Sequence, residues 1–122
     1  MMQLAVVSIP VADQARSKAF YQDVVGFSLV REGDLGTPFA YILLKPPAGL
    51  AGISLVHPTE TNPAGSVQGL MMQTLDVNKI IERLQPRGLT LTEPKVASWG
   101  RFTTFSDPDG NGWVIAEPNF AA

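Results

Sequence analysis

Few side chains in this sequence are of a type and spacing that could do chemistry. His57 is the only histidine, there is no cysteine, and the densest polar stretch is Asp-Pro-Asp-Gly-Asn-Gly over residues 107–112. An Asp-x-Asp-Gly stretch is typical of calcium-binding loops, but such loops also need a downstream bidentate glutamate that is missing here. Proline fixes φ, the aspartates bond to nearby backbone, and glycine and asparagine tolerate positive φ. The stretch therefore predicts a tight β-hairpin turn.

Two more residues are candidates for metal binding or acid–base work. His57 precedes Pro58, and Glu117 precedes Pro118, each at the end of an apolar stretch. A single histidine can act as a general base, but nothing in the spacing places an acid beside it. The alternative roles are a solvated strand-end side chain for His57 and an exposed carboxylate for Glu117. The chain contains no Gly-x-Ser-x-Gly, phosphate-loop or dinucleotide-binding motif.

Composition limits the class of protein further. The 122 residues are 45% hydrophobic and 16% charged, as expected of one globular domain with a substantial core. A formal net charge of −2 argues against nucleic acid as a partner. The absence of cysteine excludes disulfides and thiolate metal sites. The apolar run from Leu4 to Ala12 is too short for a membrane span and lacks signal-peptide flanks, so we expect a soluble cytoplasmic protein.

The elements that must position these residues occur twice along the chain. In each half an aspartate, Asp13 or Asp76, is predicted to cap a helix, and a glycine, Gly26 or Gly88, to end it. The predicted strands of the first half cover Gln3–Pro10, Phe27–Arg31, Phe39–Leu44 and Gly52–Val56, with a turn over residues 32–36. Those of the second half cover Gln68–Leu75, Leu89–Leu91, Trp99–Phe105 and Trp113–Glu117.

Each half therefore has the order strand, helix, strand, strand, strand. We assign residues 1–57 to a first module, 58–67 to a polar linker and 68–122 to a second module of one domain. Two sheets, each backed by its own helix, suggest two halves of one cleft, with strand residues alternating between the helix and the cleft.

Two stretches resemble the vicinal oxygen chelate superfamily, which includes glyoxalase I, bleomycin-resistance and fosfomycin-resistance proteins, and extradiol dioxygenases. The hairpin over residues 105–113, with its apolar strand, resembles the last hairpin of that superfamily, and residues 11–27 resemble its opening strand-to-helix segment. The likeness covers nearly all of the chain. It implies an α+β fold in which two βαβββ modules form a curled-sheet cleft.

The resemblance also implies where a metal site would be. Metal-dependent members place His or Glu ligands on four strands, and their motif positions correspond here to Val6, Ser54, Leu70 and Val114. Three of these side chains have no donor atom, and Ser54 offers only a neutral hydroxyl, so no zinc or hard-cation site is expected unless His57 or Glu117 turns inward.

What remains is an apolar cleft. Alternation from the four mapped positions, together with aromatic side chains that offer flat surfaces, predicts a binding site made of Val6, Ser8, Tyr41, Ser54, Val56, Leu70, Met72, Thr74, Trp99, Phe102, Val114 and Ala116. Phe102 and Arg101 point to opposite faces of their strand, and the sequence does not decide which of them faces the cleft. Arg101 could orient a guest by its charge. The alternative is that these residues simply fill a packed core.

The function predicted from these observations is binding of a small hydrophobic or aromatic molecule, without a metal ion or other cofactor, by a bleomycin-resistance-like homodimer. The alternative is an enzyme of the superfamily, a lyase, isomerase or dioxygenase, that uses non-standard ligands or metal-free acid–base chemistry. A third possibility is a protein–protein module in which the curled sheets mainly build the homodimer. Neither nucleic acid nor a membrane is expected as a partner.

Overall fold

A computed structural model describes residues 1–34, 36 and 39–118, and it confirms the α+β fold with two βαβββ modules. The first module consists of β1 (Val6–Pro10), α1 (Gln14–Ala19) with a π-helical continuation (Phe20–Val25), β2 (Ser28–Asp34), β3 (Ala40–Lys45) and β4 (Gly52–Val56). The second consists of β5 (Leu70–Gln73), α2 (Val77–Leu84) with a 3₁₀ turn (Gln85–Arg87), β6 (Lys95–Ala97), β7 (Gly100–Ser106) and β8 (Gly112–Pro118). Within the described residues, no helix is long and apolar enough to cross a membrane.

The two modules form two separate sheets of the same topology. Their strand orders are β1-β4-β3-β2 and β5-β8-β7-β6, in which β1 with β4 and β5 with β8 are the parallel pairs. A parallel pair needs a long crossover, and in each module the helix lies in the connection that leaves the first strand. We call these sheet 1 and sheet 2.

The predicted helix ends are confirmed. The Asp13 side chain accepts a hydrogen bond from the Arg16 amide at 3.1 Å, and Asp76 accepts one from the Lys79 amide at 3.2 Å. Each cap satisfies an amide that the first helical turn leaves free. Gly26 and Gly88 both have φ of 97°, the left-handed conformation that ends a helix at low cost for glycine.

Several predicted boundaries are wrong. β1 begins at Val6 rather than Gln3, and β5 covers Leu70–Gln73 rather than Gln68–Leu75. Leu89–Leu91 was predicted as a strand, but the strand that pairs with the edge of β7 is Lys95–Ala97. Leu89 and Leu91 are buried in the core, and the backbone bond to Thr104 of β7 comes from the next residue, Thr92. The predicted turn over residues 32–36 starts too early, since β2 continues to Asp34. Residue 35 of that turn, and residues 119–122 of the second module, lie outside the described residues.

Both sheets pack against the same core through one face, which we call the inner face. Ile9, Ile53 and Leu55 represent sheet 1 in that core, and Phe105 and Trp113 represent sheet 2. Helix α1 lies between the sheets. Its Gln14 side chain donates to backbone oxygens of sheet 1, and the rings of Phe20 and Tyr21 lie 6.3 and 6.0 Å from those of Phe105 and Trp113. The opposite face of each sheet, its open face, points away from this core.

The Asp-Pro-Asp-Gly-Asn-Gly stretch forms the predicted turn between β7 and β8, and this turn also joins the two modules. Asp107 accepts hydrogen bonds from the amides of Asp109 and Asn111, from the Asn111 side chain and, at 2.8 Å, from the hydroxyl of Tyr21 in the first module. The Asn111 side chain also donates to the carbonyl of Pro10. The aspartate thus serves as a buried hydrogen-bond acceptor that fixes one module against the other.

Candidate functional site

The open face of sheet 1 carries five of the predicted site residues. The parallel register pairs Ser8 with Ser54, and paired residues point to the same side, as do residues two apart. Val6 and Val56 therefore share the open face. Tyr41 joins them, since it lies two residues from Leu43, which pairs with Ser54 across β3 and β4.

A glycine in β4 lets two long side chains lie over this face. A Cβ atom added to Gly52, which pairs with Val6, would meet Lys45 Cγ at 3.1 Å and Leu43 Cδ1 at 3.2 Å. Both side chains therefore extend across the open face of sheet 1 near Val6. They give it an apolar surface with one ammonium group.

The open face of sheet 2 carries four more predicted residues. Phe102 pairs with Ala116, and Thr104 pairs with Val114, so these side chains point to the same side. Trp99, in the turn before β7, stacks on Phe102 with a centroid distance of 5.3 Å and an interplanar angle of 19°, and it remains 38% exposed. The uncertainty about Phe102 is thereby resolved: it belongs to the open face, and Arg101 points the other way and donates to Asn78 of α2.

The predicted facing of Leu70, Met72 and Thr74 is wrong. Leu70 pairs with Trp113 and Met72 with Ile115, which places both on the inner face of sheet 2, where they pack against the core. The Thr74 hydroxyl instead accepts a hydrogen bond from the Asp76 amide at the start of α2. The β5 residues that share the open face with Val114 and Ala116 are Met71 and Gln73.

A separate cavity of about 750 Å³ lies between the inner faces of the two sheets. Leu70, Met72 and Trp113 line it from sheet 2, Val7 and Ile53 from sheet 1, and Ile80 from α2. Leu50, which is 65% exposed, lies on its lining. The cavity is bounded mainly by inner-face side chains, although Gly52, Met71 and Gln73 also border it. The predicted site residues are therefore divided between this cavity and the two open faces.

The donor set does not fit the metal that the family resemblance implies. Val6, Ser54 and Val114 do lie on open faces, but their side chains offer one neutral hydroxyl in total. Met71, which takes the place expected of Leu70 on the open face, adds only a thioether. Over residues 1–34, 36 and 39–118, no group of three or more His, Cys, Asp or Glu side chains comes together in a way that could hold an ion.

The two residues that could have supplied a ligand have other surroundings. His57 is exposed, as predicted for a strand-end residue, and its ring contacts that of Phe39 edge-on at 4.4 Å. Glu117 is not the exposed carboxylate predicted as the alternative to a ligand role. It is half-buried and accepts a hydrogen bond from the Val77 amide at 2.7 Å, which satisfies the first turn of α2. No signal in the sequence connected Glu117 with that helix.

The two open faces of one chain point in opposite directions, because α1 lies between the sheets and both inner faces meet the same core. The residues on them therefore form two separate half-sites. Each half-site presents apolar and aromatic side chains to its surroundings, and each lacks an opposite wall within the chain.

The chain is similar in sequence and in fold to several known proteins. Residues 3–115 match the family model described as Glyoxalase/Bleomycin resistance protein/Dioxygenase superfamily. A solved structure of TnmS3, an antibiotic binding protein from Streptomyces sp. CB03234, is 36% identical, covers 98% of each chain and superimposes with a TM-score of 0.88. A glyoxalase/bleomycin resistance protein from the same organism is 37% identical over 94% of this chain and 100% of that one, with a TM-score of 0.82. The uncharacterized protein YetH of Bacillus subtilis (strain 168) is 29% identical over 94% of this chain and 98% of its own length.

Proposed function

The chain belongs to the Glyoxalase/Bleomycin resistance protein/Dioxygenase superfamily, and from that premise we propose that it binds a small hydrophobic or aromatic molecule without a metal ion. The observation that carries the proposal is the stacked pair of Trp99 and Phe102 on the open face of sheet 2. An exposed, flat aromatic surface beside Val114 and Met71 suits a planar guest, since ring stacking adds to the gain from burying apolar area.

A second chain would supply the opposite wall. Because the open faces of one chain point apart, we propose a homodimer in which sheet 1 of one protomer covers sheet 2 of the other. The guest would then lie between the Trp99–Phe102 pair and a surface formed by Val6, Tyr41 and Leu43. Enclosure from both sides buries far more of a ligand than one open sheet does.

The comparisons support binding as the class of function. A relative that is 36% identical over 98% of both chains is an antibiotic binding protein. The side chains at the motif positions support the absence of metal chemistry, since they lack the donors that polarise a substrate oxygen in metal-dependent members.

The test is a titration of the full-length protein with 9-anthracenemethanol, followed by the fluorescence of the anthracene. We expect saturable binding that EDTA does not change. Trp99→Ala should weaken it about three- to tenfold, the range that one aromatic contact supplies. Val96→Ala is the matched control, because Val96 is 83% exposed and pairs with Arg101, which points away from the open face.

A further variant separates the open face from the cavity between the sheets. Leu50→Glu puts a charge on the lining of that cavity and leaves both open faces unchanged. If Leu50→Glu weakens binding and Trp99→Ala does not, the guest binds between the inner faces and the proposed site is wrong. Absence of saturable binding in the wild-type protein would reject the proposed function itself.

A further inference from the structure

The distribution of charge over the two sheets is strongly one-sided. Among the described strand residues there are three acids, Glu32, Asp34 and Glu117, and their registers with Ile42, Ala40 and Arg101 place all three on inner faces. The cations in the strands behave differently. Three of the four are on open faces, since Arg31 pairs with Leu43, Lys95 pairs with Phe102 and Lys45 lies over Gly52. The fourth, Arg101, points to the inner side, where it pairs with Glu117 and donates to Asn78.

From this distribution we infer that the ligand is an aromatic anion, a flat ring system with a carboxylate or similarly acidic group. This inference rests on the proposed function and names the ligand class for the same site. The open faces carry three cations and no acidic strand residue, although the whole chain has 11 acidic and 9 basic residues and a net charge of −2.

Lys95 lies next to the stacked pair of Trp99 and Phe102. Directly paired residues of antiparallel strands have neighbouring side chains, so Lys95 stands beside Phe102, on which Trp99 stacks. A ring lying on the aromatic pair would bring an acidic substituent within reach of the ammonium group. The ion pairs within the described residues use Arg16 and Lys18, which leaves the Lys95 ammonium available.

A purely structural explanation covers only part of the pattern. Lysine and arginine on edge strands discourage pairing with other chains, and β2 and β6, which carry Arg31 and Lys95, are edge strands. Lys45, however, lies on β3, an interior strand, and its side chain extends over Gly52. Protection of a sheet edge therefore does not explain the cation at that position.

Three probes with one ring system test the inference: anthracene-9-carboxylate, 9-anthracenemethanol and 9-(aminomethyl)anthracene, which is cationic at pH 7. We expect the anion to bind about fivefold more tightly than the alcohol, as one solvated charge pair allows, and the cation to bind least tightly. The preference should shrink as salt is raised from 0.05 to about 0.5 M, because salt screens exposed charges.

Matched variants locate the charge. Lys95→Gln should bring the affinity for the anion down to that for the alcohol and leave the alcohol unaffected; Lys45→Gln should act in the same direction. Lys79→Gln, which removes an exposed cation on α2, should change neither. Equal affinity for all three probes, or tightest binding of the cation, would refute the anionic class while leaving the binding function intact. Failure of all three to bind would instead reject the function.

Discussion

Replacing Tyr21 by phenylalanine tests whether the turn between β7 and β8 holds the modules together. The Tyr21 side chain is fully buried, its hydroxyl donates to Asp107 at 2.8 Å, and it accepts from the indole N–H of Trp113 at 3.0 Å. Phenylalanine keeps the ring in place and removes both hydrogen bonds. It leaves the carboxylate with one donor fewer and the buried indole N–H with no acceptor.

The size of the loss follows from these two bonds. A hydrogen bond to a charged group contributes about 2 kcal/mol, and an unsatisfied buried donor costs about 1 kcal/mol, so Tyr21→Phe should lower the free energy of unfolding by about 3 kcal/mol. With a urea dependence of about 2 kcal/mol per molar, the unfolding midpoint should fall by about 1.5 M. All samples should have the same chain concentration, since a dimer's stability depends on it.

Tyr41→Phe is the matched control for this experiment. Tyr41 lies half-buried on the open face of sheet 1, and its hydroxyl has no hydrogen bond to any described residue. Its loss should change the free energy of unfolding by less than about 0.5 kcal/mol. If Tyr21→Phe behaves like Tyr41→Phe, the hydroxyl does not hold the modules together and the reasoning fails.

The other predictions concern pH, facing, capping and assembly. Burial and, after it, the Asp107 carboxylate raise the pKa of Tyr21 above its ordinary value of 10.0. The free energy of unfolding should therefore be constant up to about pH 10 and fall above it, because only the unfolded chain ionises this group there. Urea titrations at these pH values should show a smaller fall for Tyr21→Phe. Leu70→Glu should lower the melting temperature, because a carboxylate on the inner face loses part of its hydration and replaces apolar packing against the core, whereas Met71→Glu on the open face should melt near the wild-type temperature. Glu117→Ala should cost about 1 kcal/mol in urea unfolding, and Glu117→Gln less, since an amide oxygen can still accept from Val77. Sedimentation should show a homodimer at chain concentrations of about 10 µM, and a monomer there would count against the two-chain site.

Much of the fold could be predicted from the sequence because its signals are local. Asp13 and Asp76 cap helices through their own side chains, and Gly26 and Gly88 end them because few other residues accept a positive φ. The turn at residues 107–112 is likewise encoded in the residues that form it. Such features depend little on what the rest of the chain does.

The facing of β5 could not be predicted, for a physical reason. Leu70, Met71 and Met72 are all apolar, so the strand has no alternation from which to read its phase. The phase is set by pairing with β8, which puts Leu70 beside Trp113 and Met71 beside Val114. Because the predicted phase of the strand was wrong by one residue, Leu70 and Met72 were assigned to the open face instead of the inner face.

The orientation of the two modules relative to each other could not be predicted from the sequence either. Repetition of the βαβββ order predicts two similar sheets, but not which faces meet. That choice rests on contacts such as Tyr21 with Asp107, which lie 86 residues apart. Glu117 acts over a similar range when it bonds to Val77, 40 residues away.

The bond between the Asn111 side chain and the Pro10 carbonyl spans 101 residues, and this has a consequence for how the chain folds during synthesis. The internal repeat suggests that the first module folds as soon as it leaves the ribosome. Yet the inner face of sheet 1 and the ring of Tyr21 are covered by Phe105 and Trp113, and Trp113 follows Tyr21 by 92 residues. Contacts this distant form late and slow the overall reaction. The first module therefore waits, with its apolar face uncovered, until the last hairpin emerges, and this interval is when the nascent chain is most prone to aggregate.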